Sequence, residues 1–152
     1  MEARMTHPAM NLPGAFDALL ALGKSATNAG ISHALLEMVN LRASLINGCS
    51  VCVDMHAKAL KAEGESDERI FAVGAWRDAP WFTDAERAAL ELTESLTRLA
   101  DASDPVPDEL WAEVTRHFDE KAVSALLISI GAINVWNRLN AATRQVAGAY
   151  AG

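Results

Sequence analysis

The apolar residues of this chain recur with a period close to 3.6 along almost its whole length. That spacing places them on one face of an α-helix, and no stretch alternates between apolar and polar residues as a half-buried strand does. The pattern predicts an all-α fold without a sheet. We expect a helical bundle of about seven helices that forms a single domain over residues 1–152.

Capping residues, glycine and proline indicate where these helices begin and end. The predicted helices run from about Gly14 to Thr27, Ser32 to Asn47, Cys49 to Ala62, Ser66 to Val73, Thr83 to Leu99, Pro107 to Phe118 and Glu120 to Val146. The last helix is apolar on nearly every side before Arg138, so it should be buried in the domain or against another subunit. We therefore expect a homo-oligomer.

Charge and composition exclude several classes of partner. The formal net charge is −7, and the basic residues form no stripe that could neutralise phosphates, so we expect no binding to nucleic acid. The longest apolar stretch, Ala122 to Trp136, is shorter than the roughly 20 residues of a bilayer span, which predicts no membrane segment. No secretory signal is recognisable, and we expect a cytoplasmic location.

The chain contains only two cysteines, Cys49 and Cys52, at the start of the third predicted helix. A pair this close, without an export signal, indicates redox or metal chemistry rather than a disulfide framework. On a helix, Cys49, Cys52 and His56 fall within an arc of about 60° and can face one pocket. Residues three apart lie about 5 Å from each other, so the two thiols can form a disulfide reversibly.

A reactive thiol must be ionised, because the thiolate is the nucleophile. Two features favour ionisation here: the unpaired amides and positive dipole at the helix start, and the His56 imidazole one turn beyond Cys52. The pattern predicts an activated thiol. Two alternatives stay open: the cysteines could be inert small apolar residues, or they could bind zinc. The zinc site would combine Cys49, Cys52 and His56 with His33 or Glu37.

Two stretches resemble a known family. They are EMVNLRASLINGCSVCVDMHAKALKAEG, residues Glu37 to Gly64, and AINVWNRLN, residues Ala132 to Asn140. A glutamate twelve residues before the first cysteine, the cysteine pair, and a histidine four residues after the second form the shared pattern. On these residues the chain resembles the alkyl hydroperoxidase D group (AhpD-like proteins) of the carboxymuconolactone decarboxylase superfamily.

The resemblance implies an all-helical protein that assembles as a homo-trimer or homo-hexamer and reduces peroxides without a further cofactor or metal. Cys52 would attack the peroxide and Cys49 would resolve the resulting sulfenic acid as a disulfide. Glu37 and His56 would form the proton relay that ionises Cys52. An external thiol or dithiol reductant, with a lipoyl-type carrier as one candidate, would then restore the pair.

One position departs from the family pattern, which has a histidine just before the second cysteine where this chain has Val51. Without that histidine the proton relay is shorter, which casts doubt on efficient peroxide turnover and leaves two other functions open. The pair could carry disulfides or sense oxidants without efficient peroxide turnover, or the cysteines could be vestiges in a ligand-binding helical oligomer.

The helical period alone predicts which face of the second predicted helix carries each of three polar residues. Glu37 lies opposite the apolar stripe, on a face shared with His33 and Ser44, which predicts a solvated carboxylate unless another subunit covers it. His33 is expected to be a surface histidine, one turn before Glu37 and able to join its relay. Arg42 falls inside the apolar stripe, which predicts a structural ion pair rather than a catalytic role.

Overall fold

The computed structural model describes residues 1–149, and within that range the chain forms eight α-helices and no strand. The helices are α1 (Pro8–Asn11), α2 (Ala15–Ser25), α3 (His33–Asn47), α4 (Ser50–Ala62), α5 (Asp67–Ala72), α6 (Asp84–Thr97), α7 (Asp108–His117) and α8 (Glu120–Thr143). Short 3-10 turns follow α5 and α6. The all-α prediction is confirmed, and seven of the eight helices match the predicted ones.

Side-chain caps start the helices where the sequence indicated. The hydroxyl of Ser32 accepts a hydrogen bond from the Leu35 amide, and the carboxylate of Asp119 accepts one from Ala122. Thr83 and Glu86 form the reciprocal capping box that their spacing predicted. The sequence reasoning missed α1, because a single turn is too short to show a helical period. Its cap is the Nδ1 atom of His7, which accepts from the Ala9 amide at 3.2 Å.

Helix α3 lies at the centre of the fold, packed against α4, α6 and α8. The prediction that its Glu37 and Ser44 face is solvated is wrong, because α4 and α8 cover that face. Ser44 is fully buried and the Glu37 side chain is only 14% exposed. The apolar residue Leu45 of the same helix is 39% exposed. A helix with neighbours on several sides cannot be described by a single apolar stripe.

Helix α8 is the longest helix, and its burial inside the bundle confirms the prediction from its composition. By length and composition alone it could cross a membrane, but 56% of its most apolar window is buried within the protein, as in a core helix. Leu127, Ile128 and Val135 remain 37–39% exposed along it. Assembly of this face with another subunit stays a prediction.

Arg42 forms the structural ion pair that its position predicted. Its guanidinium lies 2.6 Å from the Glu94 carboxylate and also donates to the carbonyl oxygen of Gly74. Glu94 further accepts a hydrogen bond from the indole of Trp76 at 2.7 Å and from Arg77. These bonds connect α3 to α6 and to the turn after α5, so the cluster stabilises the bundle.

We expect Arg42→Leu to lower the free energy of unfolding by about 2 kcal/mol, because the half-buried carboxylate of Glu94 loses its innermost cationic partner. Urea unfolding followed by circular dichroism measures this change. The matched control is Arg116→Leu, which removes an exposed pair with Glu113 on α7 and should leave the midpoint nearly unchanged. Equal midpoints for both variants would contradict a structural role for Arg42.

Candidate active site

The two cysteines occupy the first turn of α4, immediately after a tight reversal of the chain. Gly48 ends α3 in the left-handed conformation at φ 67°, which glycine adopts without strain. Cys49 is the N-cap of α4, and its sulfur accepts a hydrogen bond from the Cys52 amide at 3.4 Å. The two sulfur atoms lie 2.6 Å apart, and both residues are buried. The predicted closeness of the pair is confirmed.

The first proton of this pair leaves from Cys49. The Cys52 S–H donates to the Cys49 sulfur, and this bond, together with the Cys52 amide, lowers the pKa of Cys49 to about 6 despite its burial. The same bond, burial and the neighbouring charge raise the pKa of Cys52 well above its usual range. At neutral pH the pair therefore holds one proton and one negative charge. This differs from the expectation that Cys52 is the ionised thiol, because the Cys52 thiol and then the amide at the helix start both donate to Cys49.

Asparagines of α8 complete the surroundings of the sulfurs. The side-chain amide of Asn140 donates to the Cys52 sulfur at 3.3 Å. Asn137 also favours the ionised form of both cysteines and is itself held by Ser44, to whose hydroxyl it donates at 3.1 Å. Sequence reasoning assigned neither residue to the site. Their spacing of three along a buried helix was the available signal, since it puts both amides on one side.

Glu37 and His56 meet across the α3–α4 hairpin. His56 Nδ1 lies 2.7 Å from the Glu37 carboxylate, and the two side chains are 16% and 14% exposed. The contact between them is the one that the family resemblance implied. Within residues 1–149, neither side chain makes a hydrogen bond to a sulfur, so the expected direct action of His56 on Cys52 is not part of this geometry.

A cavity of about 590 Å³ brings these groups together. Cys52, His56 and Glu37 line it, whereas Cys49 does not. Most of the remaining wall is apolar, and α2 contributes one side of it although none of its residues is buried. Phe16 and Trp136 meet edge to face at this wall, with ring centroids 5.8 Å apart. The cavity can therefore place an apolar molecule against the Cys52 sulfur.

His7 closes one end of the same wall, where its ring lies 5.4 Å from that of Trp136. The residue is 5% exposed, and its Nε2 atom has no hydrogen-bond partner within the described part of the chain. Burial lowers the pKa of His7. Its ring is therefore neutral at neutral pH and acts as part of the apolar wall. Sequence reasoning gave this histidine no role.

The zinc alternative finds no ligand cluster in the structure. Among residues 1–149, no three or more His, Cys, Asp and Glu side chains are grouped so that they could hold a metal ion. His56 is bonded to Glu37 rather than grouped with the sulfurs. The arrangement fits thiol chemistry with a separate proton donor and acceptor.

The sequence profile of the carboxymuconolactone decarboxylase family matches residues 13–95, which is more than half of the chain. The chain belongs to this family. Among curated relatives, the uncharacterized protein YdfG of Bacillus subtilis (strain 168) is 35% identical over 130 residues, covering 86% of this chain and 87% of that protein. Alkyl hydroperoxide reductase AhpD of Methylobacterium sp. (strain 4-46) is 36% identical over 69 residues, 45% of this chain and 39% of that protein.

Two solved structures share the fold of this chain. A protein of unknown function from Agrobacterium tumefaciens, with a proposed role as antioxidant defence protein AhpD, superposes with a TM-score of 0.88 at 34% identity, covering 96% of this chain and 98% of that one. A variant of the debrominase Bmp8, in complex with 2,3,4-tribromopyrrole, gives a TM-score of 0.80 at 20% identity, covering 92% and 74%. That second likeness shows the fold alone. The AhpD-like assignment is thus confirmed.

The shared proton of the cysteine pair can be tested by ultraviolet absorbance of the thiolate during a pH titration. We expect one thiolate per chain to form near pH 6, as the pKa of Cys49 requires. In Cys52→Ala the midpoint should rise toward the ordinary thiol value of about 8.5, because the S–H donor is gone. In Cys49→Ala the remaining Cys52 should titrate no lower than that value. A wild-type midpoint at the ordinary value would contradict the assignment.

Proposed function

We propose that the protein is a thiol-dependent peroxidase that reduces organic hydroperoxides through a Cys49–Cys52 dithiol and disulfide cycle. The observation that carries the proposal is a closely spaced, hydrogen-bonded sulfur pair, one member of which lines a cavity that also holds the Glu37–His56 pair. The AhpD-like family supports a peroxidase-related role. The geometry supports the residue roles that we propose below.

Cys52 is the attacking residue in this proposal, because its sulfur faces the cavity. As Cys52 attacks the terminal oxygen of the hydroperoxide, its proton passes to the Cys49 thiolate 2.6 Å away. The oxygen–oxygen bond breaks, Cys52 becomes a sulfenic acid, and the leaving alkoxide takes a proton from His56 to give the alcohol. Glu37 orients the imidazole through the contact with Nδ1.

Resolution needs only the neighbouring sulfur. The Cys49 thiol attacks the sulfur of the Cys52 sulfenic acid, the disulfide forms, and the thiol proton leaves with the hydroxyl as water. An external dithiol then reduces the disulfide, and a lipoyl-type carrier is our candidate. No metal or further cofactor enters these steps. We also propose a cytoplasmic location, where thiols are kept reduced, and a homo-trimer or homo-hexamer.

The apolar walls of the cavity support an organic substrate rather than hydrogen peroxide. Burying the hydrocarbon part of a hydroperoxide against Phe16, Leu20 and Trp136 contributes roughly 25 cal/mol per Å² of apolar surface removed from water. Hydrogen peroxide has no such part. The cavity thus favours substrates with an alkyl or aryl group.

Peroxide consumption with dithiothreitol as the reductant tests the function. Wild type should consume cumene hydroperoxide faster than hydrogen peroxide, and Cys52→Ser and Cys49→Ser should each lose about 100-fold or more in turnover, because the cycle needs both sulfurs. Reduced Cys49→Ser treated with hydroperoxide should accumulate a dimedone-reactive sulfenic acid, whereas Cys52→Ser should not. Equal consumption by all three proteins would exclude the peroxidase.

His56→Gln is expected to slow oxidation of the pair by about 100-fold, because the alkoxide then leaves without a positioned proton donor. The rate is measured in a single turnover of reduced protein. The effect should be smaller with a hydroperoxide whose alcohol product is more acidic, since that leaving group needs less protonation. Equal slowing for both leaving groups would show that His56 does not donate the proton.

Val51 favours a second candidate function, a disulfide carrier or oxidant sensor with little peroxide turnover. Its buried apolar side chain lines the cavity beside Cys52, where the related pattern has a histidine. Under this alternative, the pair would exchange disulfides with dithiols rapidly while hydroperoxides oxidised it slowly. The two functions are separated by comparing those two rates in one preparation.

A further inference from the structure

A line of alternating histidines and glutamates leads from the protein surface to the active-site cavity. Glu63 lies at the C-terminus of α4, and its carboxylate is 3.0 Å from His33 Nδ1. The Nε2 atom of the same His33 ring is 3.6 Å from Glu37, and Glu37 is 2.7 Å from His56. The His33–Glu63 pair is open to solvent, since these side chains are 52% and 42% exposed. The Glu37–His56 pair is largely buried.

The chemistry proposed above requires such a connection. The resting pair holds one proton, because Cys49 is ionised at neutral pH. Reduction of one hydroperoxide to an alcohol and water, with formation of the disulfide, consumes both sulfur hydrogens of a full dithiol. One proton must therefore enter during oxidation, and one must leave when the reduced pair ionises again. The Cys52 proton moves only to Cys49, so the incoming proton has to reach His56 from elsewhere.

We propose that His33 is the proton-entry residue of the site, receiving protons at the surface and passing them through Glu37 to His56. This inference rests on the proposed peroxidase function. Imidazole both takes up and releases protons near neutral pH, and its two nitrogens allow transfer from one side of the ring to the other. Glu63 holds Nδ1 and thereby directs Nε2 toward Glu37. His33 acts through other groups and is a positioning residue in the relay.

The neighbours of His33 are compatible with this role. Its ring faces two carboxylates, that of Glu37 on its own helix and that of Glu63 at the end of α4. Lys24 on α2 is the cation that lines the same cavity, and it makes no ion pair within the described residues. Val51, which lines the cavity beside Cys52 on α4, has no side-chain atom that could transfer a proton. The α3 side offers a route through the close contacts of His33, Glu37 and His56.

Single-turnover oxidation by cumene hydroperoxide, followed by acid quench and mass spectrometry of the disulfide, tests the relay. His33→Ala should slow disulfide formation by about 10-fold, and imidazole in the buffer should restore the rate because it replaces the missing proton carrier. The matched control is His117→Ala, which removes a histidine bonded to Glu113 at 3.0 Å on α7, outside the cavity. The control should keep the wild-type rate with and without imidazole.

Two results would overturn the relay: a wild-type rate in His33→Ala, or a slow rate that imidazole does not restore. Failure of the peroxidase proposal looks different, since wild type itself would then form no disulfide with the hydroperoxide. In that case exchange of the His56 ring proton with water, measured by nuclear magnetic resonance on histidine-labelled protein, tests the relay without turnover. The exchange should be slower in His33→Ala than in wild type, and equal exchange would exclude the route.

Discussion

The ionisation of this site depends on one hydrogen bond, in which the Cys52 thiol donates to the ionised Cys49 sulfur. The bond exists because Gly48 reverses the chain and places Cys49 at the helix start, where an amide also donates to its sulfur. The negative charge therefore rests on the sulfur that does not line the cavity, while the sulfur that does line it keeps its proton. In the proposed cycle, attack by Cys52 requires that proton to move. The pair is thus already ionised before a substrate binds. Its thiolate nevertheless does not face the cavity, where small reagents would meet it.

Local signals in the sequence were sufficient to predict most of the fold. The caps at Ser32, Thr83 and Asp119 and the glycine after α3 fix helix ends through bonds within one or two turns. The closeness of the two cysteines is equally local, because a helix fixes the distance between residues three apart. Neither prediction needed the position of any other helix.

What the sequence could not predict arises where helices meet. The burial of Glu37 and Ser44 depends on α4 and α8 covering α3, and no periodicity within α3 reveals which neighbours it has. The same holds for Asn140, which is 88 residues from the cysteine to which it donates. Only the family resemblance connected Glu37 to the cysteine helix. The sequence also did not reveal that His56 contacts Glu37 rather than a sulfur, because that contact joins two helices.

Two largely buried charged residues on α3 show how one helix can serve both stability and chemistry. The Arg42–Glu94 cluster is bonded to backbone, indole and a second arginine, and its groups have no open direction in which to pass a proton. Glu37 instead lies between two imidazoles, one buried and one half exposed. Guanidinium keeps its proton at any physiological pH, whereas imidazole exchanges it. The partners therefore decide the role of each charged group, and burial alone does not distinguish them.

The same reasoning separates this chain from other proteins that share its fold. A debrominase has a similar backbone, so the arrangement of helices does not by itself determine the reaction. A fold of this kind supplies a cavity beside a helix start, and the reaction then depends on which sulfur faces the cavity and how protons reach it. Here the residue preceding Cys52 is the apolar Val51, which leaves the glutamate and histidines between α3 and α4 as the polar connection to solvent. Under the proposed function, a change in proton path of this kind would alter rate and leaving-group preference while the sulfur chemistry stays the same.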